Sequence, residues 1–388
     1  MATIGIDVTA LSTAASGGIG TSQYQTMRAI AELSCDHRFI LYAAEPPLIP
    51  FSQTPLDLPW ELRLGTGPTT RSNILWMQTG VNHLLARDNV DLFWSPRHLL
   101  PLRATGFAKV ATIQDFWHRY FPKQQPLLNR TLNRELIGRV IAQSDRVVTT
   151  SQATADDVMR FHSVPASRID VVALGVDATE FRPSTPEEGA EMPARLGITR
   201  PYLLSLDVFN PRKNFSAVLE AVSRLPLEVR ETFQVVGVGR PRKTASEIDP
   251  YAKAAALGLH GGVRILDDVG FEDLRALYSG ALAFVYPSVY EGFGMPVLEA
   301  MACGCPVITA NRSSLPEVAG DAALLVDPTS ADGIAAAIAR LVADPGERER
   351  LAAAGLARAG GFTWRRTAQG MLDSFERALE THASGGRP

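Results

Sequence analysis

The chain has 388 residues, enough for two or three domains at about 150 residues each. Its 38 basic and 41 acidic residues leave a formal net charge of -3, which excludes a strongly basic nucleic-acid binder on bulk charge. A composition of 46% hydrophobic and 20% charged residues excludes general disorder.

Met1–Val8 has no basic leader and reads as a first strand, not a signal peptide. Short apolar runs rich in valine and isoleucine then predict strands at Thr3–Val8, Arg38–Ala44, Asp91–Ser95, Lys109–Asp115, Arg146–Ser151 and Asp170–Leu174. A second set follows at Tyr202–Asp207, Phe233–Val238, Val263–Asp267, Leu282–Pro287, Pro306–Ala310 and Ala323–Asp327. Continuously apolar strands separated by helical patterns imply parallel sheets covered on both faces. Twelve strands exceed one comfortable sheet, so the expected fold class is α/β with two doubly wound, Rossmann-like domains. The polar, proline-containing stretch Asp177–Pro193 carries no strand pattern and places the hinge near residues 175–200. The expected divisions are 1–180, 181–365 and a last helical segment, 366–388. In that segment Ala368, Met371, Leu372, Phe375, Ala378 and Leu379 recur at helical spacing. No apolar run reaches the ~18 residues of a membrane span. Cys35, Cys303 and Cys305 are too few for a disulfide framework, and Cys303 and Cys305 read as small buried side chains. A reducing cytoplasm fits that usage.

Tyr286–Gly304 holds the densest chemistry. An apolar strand runs into a loop with Glu291, Gly292 and Gly294, and a helix is predicted from near Pro296 to just before Gly304. A glycine-containing turn and a helix N-terminus at the end of a parallel strand let backbone N–H groups meet sugar hydroxyls or phosphate oxygens. Glu291 and Glu299 stand eight residues apart, with Glu299 expected in the first helical turn. Each carboxylate is able to accept paired hydrogen bonds from vicinal hydroxyls. Equally, Glu299 would complement the helix dipole and Glu291 would be a solvated loop residue; the residues alone leave both readings open.

The run Tyr290-Glu291-Gly292-Phe293-Gly294-Met295-Pro296-Val297-Leu298-Glu299-Ala300-Met301-Ala302-Cys303-Gly304 resembles the signature of retaining GT-B glycosyltransferases of family 4, also called group 1. The likeness continues through Pro306–Asn311 and Leu315–Gly320 to Asp327-Pro328. It reaches back through Asp273–Tyr278, Val236-Gly237-Val238-Gly239 and Pro211-Arg212-Lys213-Asn214 to Gly175-Val176-Asp177, Thr150-Ser151 and Gly17-Gly18-Ile19-Gly20. The first domain matches more loosely than the second. The resemblance implies a GT-B fold with the site in a cleft between the domains and the last helix packed back on the first domain. It implies that Glu291 binds the donor hexose and assists at the reacting centre, that Glu299 binds the nucleotide ribose, and that the backbone around Phe293, Gly294, Met295, Pro296 and Val297 meets the sugar. Lys213, with Arg212 as the weaker assignment, would offset charge on the leaving diphosphate. The family's second arginine, about six residues earlier, has no counterpart at Leu206-Asp207. Gly17, Gly18 and Gly237 would approach the donor with their backbone, Gly17–Gly20 forming a loop before a helix that starts near Ser22.

Gln114-Asp115 stands where the family commonly has His-Asp. Glutamine does not titrate, so general-base chemistry by a histidine is not available there; His118, four residues on, is the nearby histidine and otherwise a structural residue of an aromatic stretch. Gln114, Asp115 and His118 are the expected residues near the acceptor. No Asp-x-Asp metal motif occurs, so no metal or other cofactor is expected. The expected substrates are a nucleotide-sugar, GDP-mannose ahead of UDP-glucose and UDP-N-acetylglucosamine, and a glycan or lipid-linked acceptor. A nucleotide-sugar epimerase, a phosphorylase and a non-catalytic sugar-nucleotide binder are the competing readings.

Residues 97–146 contain nine Lys/Arg against three acidic residues, interleaved with aromatics. This is either a solvated face or an interfacial patch for anionic lipid. The expected location is cytoplasmic, with peripheral membrane contact through that patch.

Overall fold

The computed structural model describes residues 1–11, 17–50, 54–66, 70, 72–122, 127–190, 192–241, 249–259, 261–267 and 269–385. The chain divides into two compact units, Met1–Gly175 with Trp364–Pro388, and Val176–Thr363. The division between the units thus falls five residues before the expected 180/181 boundary, and the last helix, from Trp364, groups with the first unit.

The first unit carries β1 (Thr3–Asp7), β2 (Arg38–Ala43), β3 (Glu61–Leu64), β4 (Leu92–Ser95), β5 (Ala108–Ile113), β6 (Arg146–Thr149) and β7 (Ile169–Val171). They form one parallel sheet in the order β3-β2-β1-β4-β5-β6-β7. The second unit carries β8 (Tyr202–Leu206), β9 (Gln234–Val238), β10 (Val263–Leu266), β11 (Ala283–Tyr286), β12 (Val307–Ala310) and β13 (Ala323–Val326). Its parallel sheet runs β10-β9-β8-β11-β12-β13. In each sheet the winding direction reverses once, between β1 and β4 and between β8 and β11. Ligands of open α/β sheets bind beyond the strand C-termini at such a reversal.

Three local features depart from the sequence reading. β3 was not expected. It is an edge strand whose residues are exposed or half-buried, so it has no apolar face to read. Glu61 and Arg63 tie it down through ion pairs with Arg38 and Asp88. Charged side chains on an edge also discourage pairing with another chain. Second, the helix Gly17–Ala31 begins at Gly17, so Gly17-Gly18-Ile19-Gly20 is its first turn and not a loop before Ser22. Third, Glu299 is the fifth residue of the helix Met295–Ala302, one residue further from the N-terminus than expected and just past its first turn, where a helix-dipole role weakens.

The core of the first unit includes the apolar face of the helix Trp364–Ala383. Ala368, Met371, Leu372, Phe375 and Ala378 pack with Ile4, Ile6, Met27, Ile30 and Trp94. The Phe375 and Trp94 rings lie 5.6 Å apart. Polar contacts fix the helix in register: Ser374 donates to Asp170 at 2.8 Å, Arg377 pairs with Asp170 at 3.0 Å, and Thr367 donates to the Ala173 carbonyl at 2.8 Å. Among the described residues no helix is long and apolar enough to cross a membrane.

Candidate functional site

The switch point of the second unit lies between β8 and β11, and the loops after these two strands build the candidate site. After β8 the chain makes a 3-10 turn, Pro211–Lys213, which Asn210 caps by accepting from the Arg212 amide at 3.2 Å. Asn214 then takes a left-handed conformation, φ 60. Its side-chain Nδ2 donates to the Pro287 carbonyl at 3.3 Å and the Pro328 carbonyl at 2.7 Å, which joins the β8 loop to the loops after β11 and β13. The Arg212 carbonyl accepts from the Val289 amide at 2.9 Å. These bonds turn the Lys213 side chain inward, where it is 9% exposed.

Lys213 Nζ donates to Glu291 Oε1 at 2.7 Å and sits 5.1 Å from the centroid of the Tyr286 ring. Glu291 is itself 7% exposed. Two hydroxyls donate to the same oxygen, Tyr286 at 2.9 Å and Ser288 at 2.6 Å. Burial by itself would push the Glu291 carboxyl up. The positive charges of Lys213 and Arg212 outweigh it and hold the group below the usual carboxylate range. Burial lowers the Lys213 ammonium, and Glu291 opposes that shift. The pair is therefore an ion pair in which each charge depends on the other. Removing either would leave an uncompensated buried charge.

The Glu291 backbone is clamped as well. Its amide donates to Ser313 Oγ at 3.0 Å, and its carbonyl accepts from the Ser313 and Ser314 hydroxyls. Gly294 follows with φ 112 and caps the helix Met295–Ala302, with Pro296 in the first turn. A Cβ at Gly294 would stand 2.8 Å from Leu315. Among the described residues no acceptor meets the Phe293, Gly294 or Met295 amides, so the N-terminal turn presents donors for an anion or a hydroxyl. Val297 N–H is used inside the turn, donating to the Gly294 carbonyl at 3.0 Å. Glu299 is half-buried and accepts from Tyr278 at 3.2 Å. Burial pushes its carboxyl up to about 7, against the Tyr278 hydrogen bond.

Gly237 stands inside β9, where a Cβ would come within 2.8 Å of Ile265 and Val208. It serves sheet packing; the glycine at the strand's end is Gly239, whose Cβ would meet the Val208 amide at 3.0 Å. In the first unit, Gly17 and Gly18 open a helix, and a Cβ on Gly18 would meet open space. Residues 12–16, between β1 and these glycines, lie outside the described residues. Gln114 Nε2 donates to the Pro96 carbonyl at 3.0 Å, and Asp115 accepts from the Trp117 amide at 3.1 Å. His118 is buried beside Phe116, ring centroids 5.7 Å apart. Burial, reinforced by Arg119 and His162, depresses it to about 4, so it is neutral at neutral pH.

The basic stretch is less of a patch than its composition suggests. Lys109 is 1% exposed and donates to Gln143, and Arg146 is bound to Asp170. Arg103, Arg134 and Arg139 are exposed; Lys123 and the side chain of Arg130 lie outside the described residues.

Tyr286, Ser288, Ser313, Ser314 and Tyr278 were not singled out from the sequence. The signal for the first two was present, since both fall within the chemistry-bearing segment. Ser313, Ser314 and Tyr278 come from elements that only folding brings near the glutamates.

Residues 190–358 match the family model for glycosyl transferases group 1, and residues 16–180 match that for glycosyltransferase family 4. The chain is 32% identical to the O-antigen chain mannosyltransferase B of Escherichia coli over 75% of each chain. It is a group 1, family 4 glycosyltransferase. A second relative of this glycosyltransferase is the MMP α-(1→4)-mannosyltransferase of Mycolicibacterium hassiacum, 31% identical over 72% of this chain and 68% of that one. Sucrose-phosphate synthase of Thermosynechococcus elongatus has a similar fold, with a TM-score of 0.78 at 20% identity, covering 98% of this chain and all of that one. Anabaena HepE in complex with UDP and glucose superposes with a TM-score of 0.73 at 17% identity, covering 97% and 100%. The two parallel sheets of this glycosyltransferase are those of the GT-B fold.

Proposed function

We propose that this glycosyltransferase moves a hexose, mannose ahead of others, from a nucleotide-diphospho-sugar to a glycan or lipid-linked acceptor in cell-surface polysaccharide assembly. The observation that carries the proposal is the buried Lys213–Glu291 pair at the switch point of the second unit. Lys213, helped by Arg212, offsets charge on the leaving diphosphate. Glu291 holds the hexose, Glu299 the ribose hydroxyls, and the amides of Phe293, Gly294 and Met295 the sugar oxygens. Transfer proceeds with retention of anomeric configuration. The acceptor oxygen bonds to the anomeric carbon on the face from which the diphosphate departs, and the acceptor proton passes to a diphosphate oxygen. Gln114 and Asp115 face the acceptor. The charges of Lys213 and Arg212 take the place of a metal ion.

The mannosyltransferase names of the two relatives support mannose, and with it GDP-mannose as donor. HepE, with UDP bound, is the reason to keep uridine donors in the comparison. A calorimetric and turnover panel of GDP-mannose, UDP-glucose and UDP-N-acetylglucosamine, with EDTA or with Mg²⁺, tests the donor and the metal together. GDP-mannose should bind and turn over equally in EDTA. Binding confined to uridine donors would replace the donor, and activity lost in EDTA and restored by Mg²⁺ would replace the metal-free mechanism. Exposed Arg103, Arg134 and Arg139 provide the peripheral membrane contact. Arg134→Glu with Arg139→Glu should weaken co-sedimentation with anionic vesicles, and sedimentation indifferent to lipid charge would remove that contact.

A further inference from the structure

Three side-chain donors converge on one oxygen of Glu291. Lys213, Tyr286 and Ser288 all bond Oε1, at 2.7, 2.9 and 2.6 Å. Among the described residues none donates to Oε2. Ser288 has one hydroxyl proton and three acceptors within reach: Oε1, the Arg212 carbonyl at 3.1 Å and the Tyr290 carbonyl at 3.3 Å. The charged oxygen is the nearest and the strongest of these. Tyr286 is 1% exposed, and its ring is stacked on Phe284 with centroids 5.2 Å apart, so its hydroxyl is held in place by core packing. Ser288 is fully buried.

We infer that Tyr286 and Ser288 are positioning residues that tether Glu291 by Oε1 and leave Oε2 as its working oxygen for a sugar hydroxyl. The inference rests on the proposed role of Glu291 and adds a requirement to it. In that role Lys213 turns to the donor diphosphate, and its bond to Oε1 weakens when donor enters. The carboxylate would then swing about its side-chain torsions. Two neutral hydroxyls keep Oε1 fixed through this change. Charged groups around the tether are Lys213, Arg212 and Asp207; the first two favour the ionised carboxyl, and Asp207 acts on Lys213 and Tyr286.

Tyr286→Phe and Ser288→Ala remove one hydroxyl each and little volume. Each should lower kcat by about 10- to 100-fold, the value of a hydrogen bond to a charged group, while donor KM and nucleotide affinity stay within about twofold of the unaltered chain. The acidic limb of the kcat profile should move to higher pH in both, because each lost bond favoured the ionised carboxyl. A role in folding alone would lower thermal stability and leave that limb in place. Glu291→Gln separates the two readings. If Glu291→Gln turns over like the unaltered chain, the assignment of the site is wrong. If Glu291→Gln is folded, by an unchanged circular dichroism spectrum, and inactive while Tyr286→Phe and Ser288→Ala keep kcat and the acidic limb, the tether is wrong and the site assignment stands.

Discussion

Two glutamates eight positions apart are shifted in opposite directions, and the cause is what each one touches. Glu291 is wrapped by Lys213, Tyr286 and Ser288 and is held ionised. Among the described residues Glu299 has one tyrosine hydroxyl and no cation against it, and burial raises it to about 7. If the ionised Glu299 accepts the ribose hydroxyls, nucleotide affinity should rise as pH increases from 6 to 8 and level off above. Glu299→Gln should bind nucleotide more weakly and with a flat profile over that range, measured by calorimetry. A profile equally steep in both proteins would detach Glu299 from the nucleotide. The sequence supplied both carboxylates and their spacing. It carried no sign of this difference, because the partners lie up to 78 positions away along the chain.

At the scale of elements, the turn at Gly294 joins a strand-end loop to a helix. Its φ of 112 belongs to a region that side chains disfavour, and Leu315 fills the space where a Cβ would stand. Gly294→Ala should cost about 1–3 kcal/mol of stability and weaken nucleotide binding, read by chemical denaturation and calorimetry. Unchanged values for both would mean the turn relaxes freely. The helix Trp364–Ala383 tests the other unit. Phe375→Ala opens a cavity against Trp94 and should cost about 3–5 kcal/mol; a loss below 1 kcal/mol would show that the helix contributes little to that core. Both elements were partly legible. The proline and glycines marked the ends of the Met295–Ala302 helix, and the apolar spacing marked the buried face of the last one. β3 was illegible, because an edge strand bearing Glu61 and Arg63 has neither an apolar run nor a buried face.

For the whole molecule, pH links the histidines to stability. His98 and His118 are both depressed to about 4, chiefly by burial. The unfolded chain takes up these protons near pH 6.5 and the folded chain near 4, so stability should fall as pH drops from 6.5 to 4. Glu299 acts in the opposite sense. Its folded value is raised, so its contribution falls as pH rises from about 4.5 to 7. Glu299→Gln should therefore steepen the rise of stability with pH across that window, and His118→Gln should flatten it. Urea denaturation at several pH values reads both; a flatter curve for Glu299→Gln would contradict the sign.

The sequence by itself determined the fold class, the place along the chain of twelve of the thirteen strands among the described residues, and the glutamate, lysine and glycine residues of the second unit's switch-point loops. Those features are local: apolar runs, turn residues and a dense motif are each written within a few neighbouring positions. Tertiary structure decided the rest. It chose the strand order that sets β8 beside β11, and so brought Lys213 onto Glu291. It put Gly237 into sheet packing and turned Lys109 and Arg146 inward. Each of these depends on which distant surface supplies burial or charge, and a linear pattern does not encode that partner.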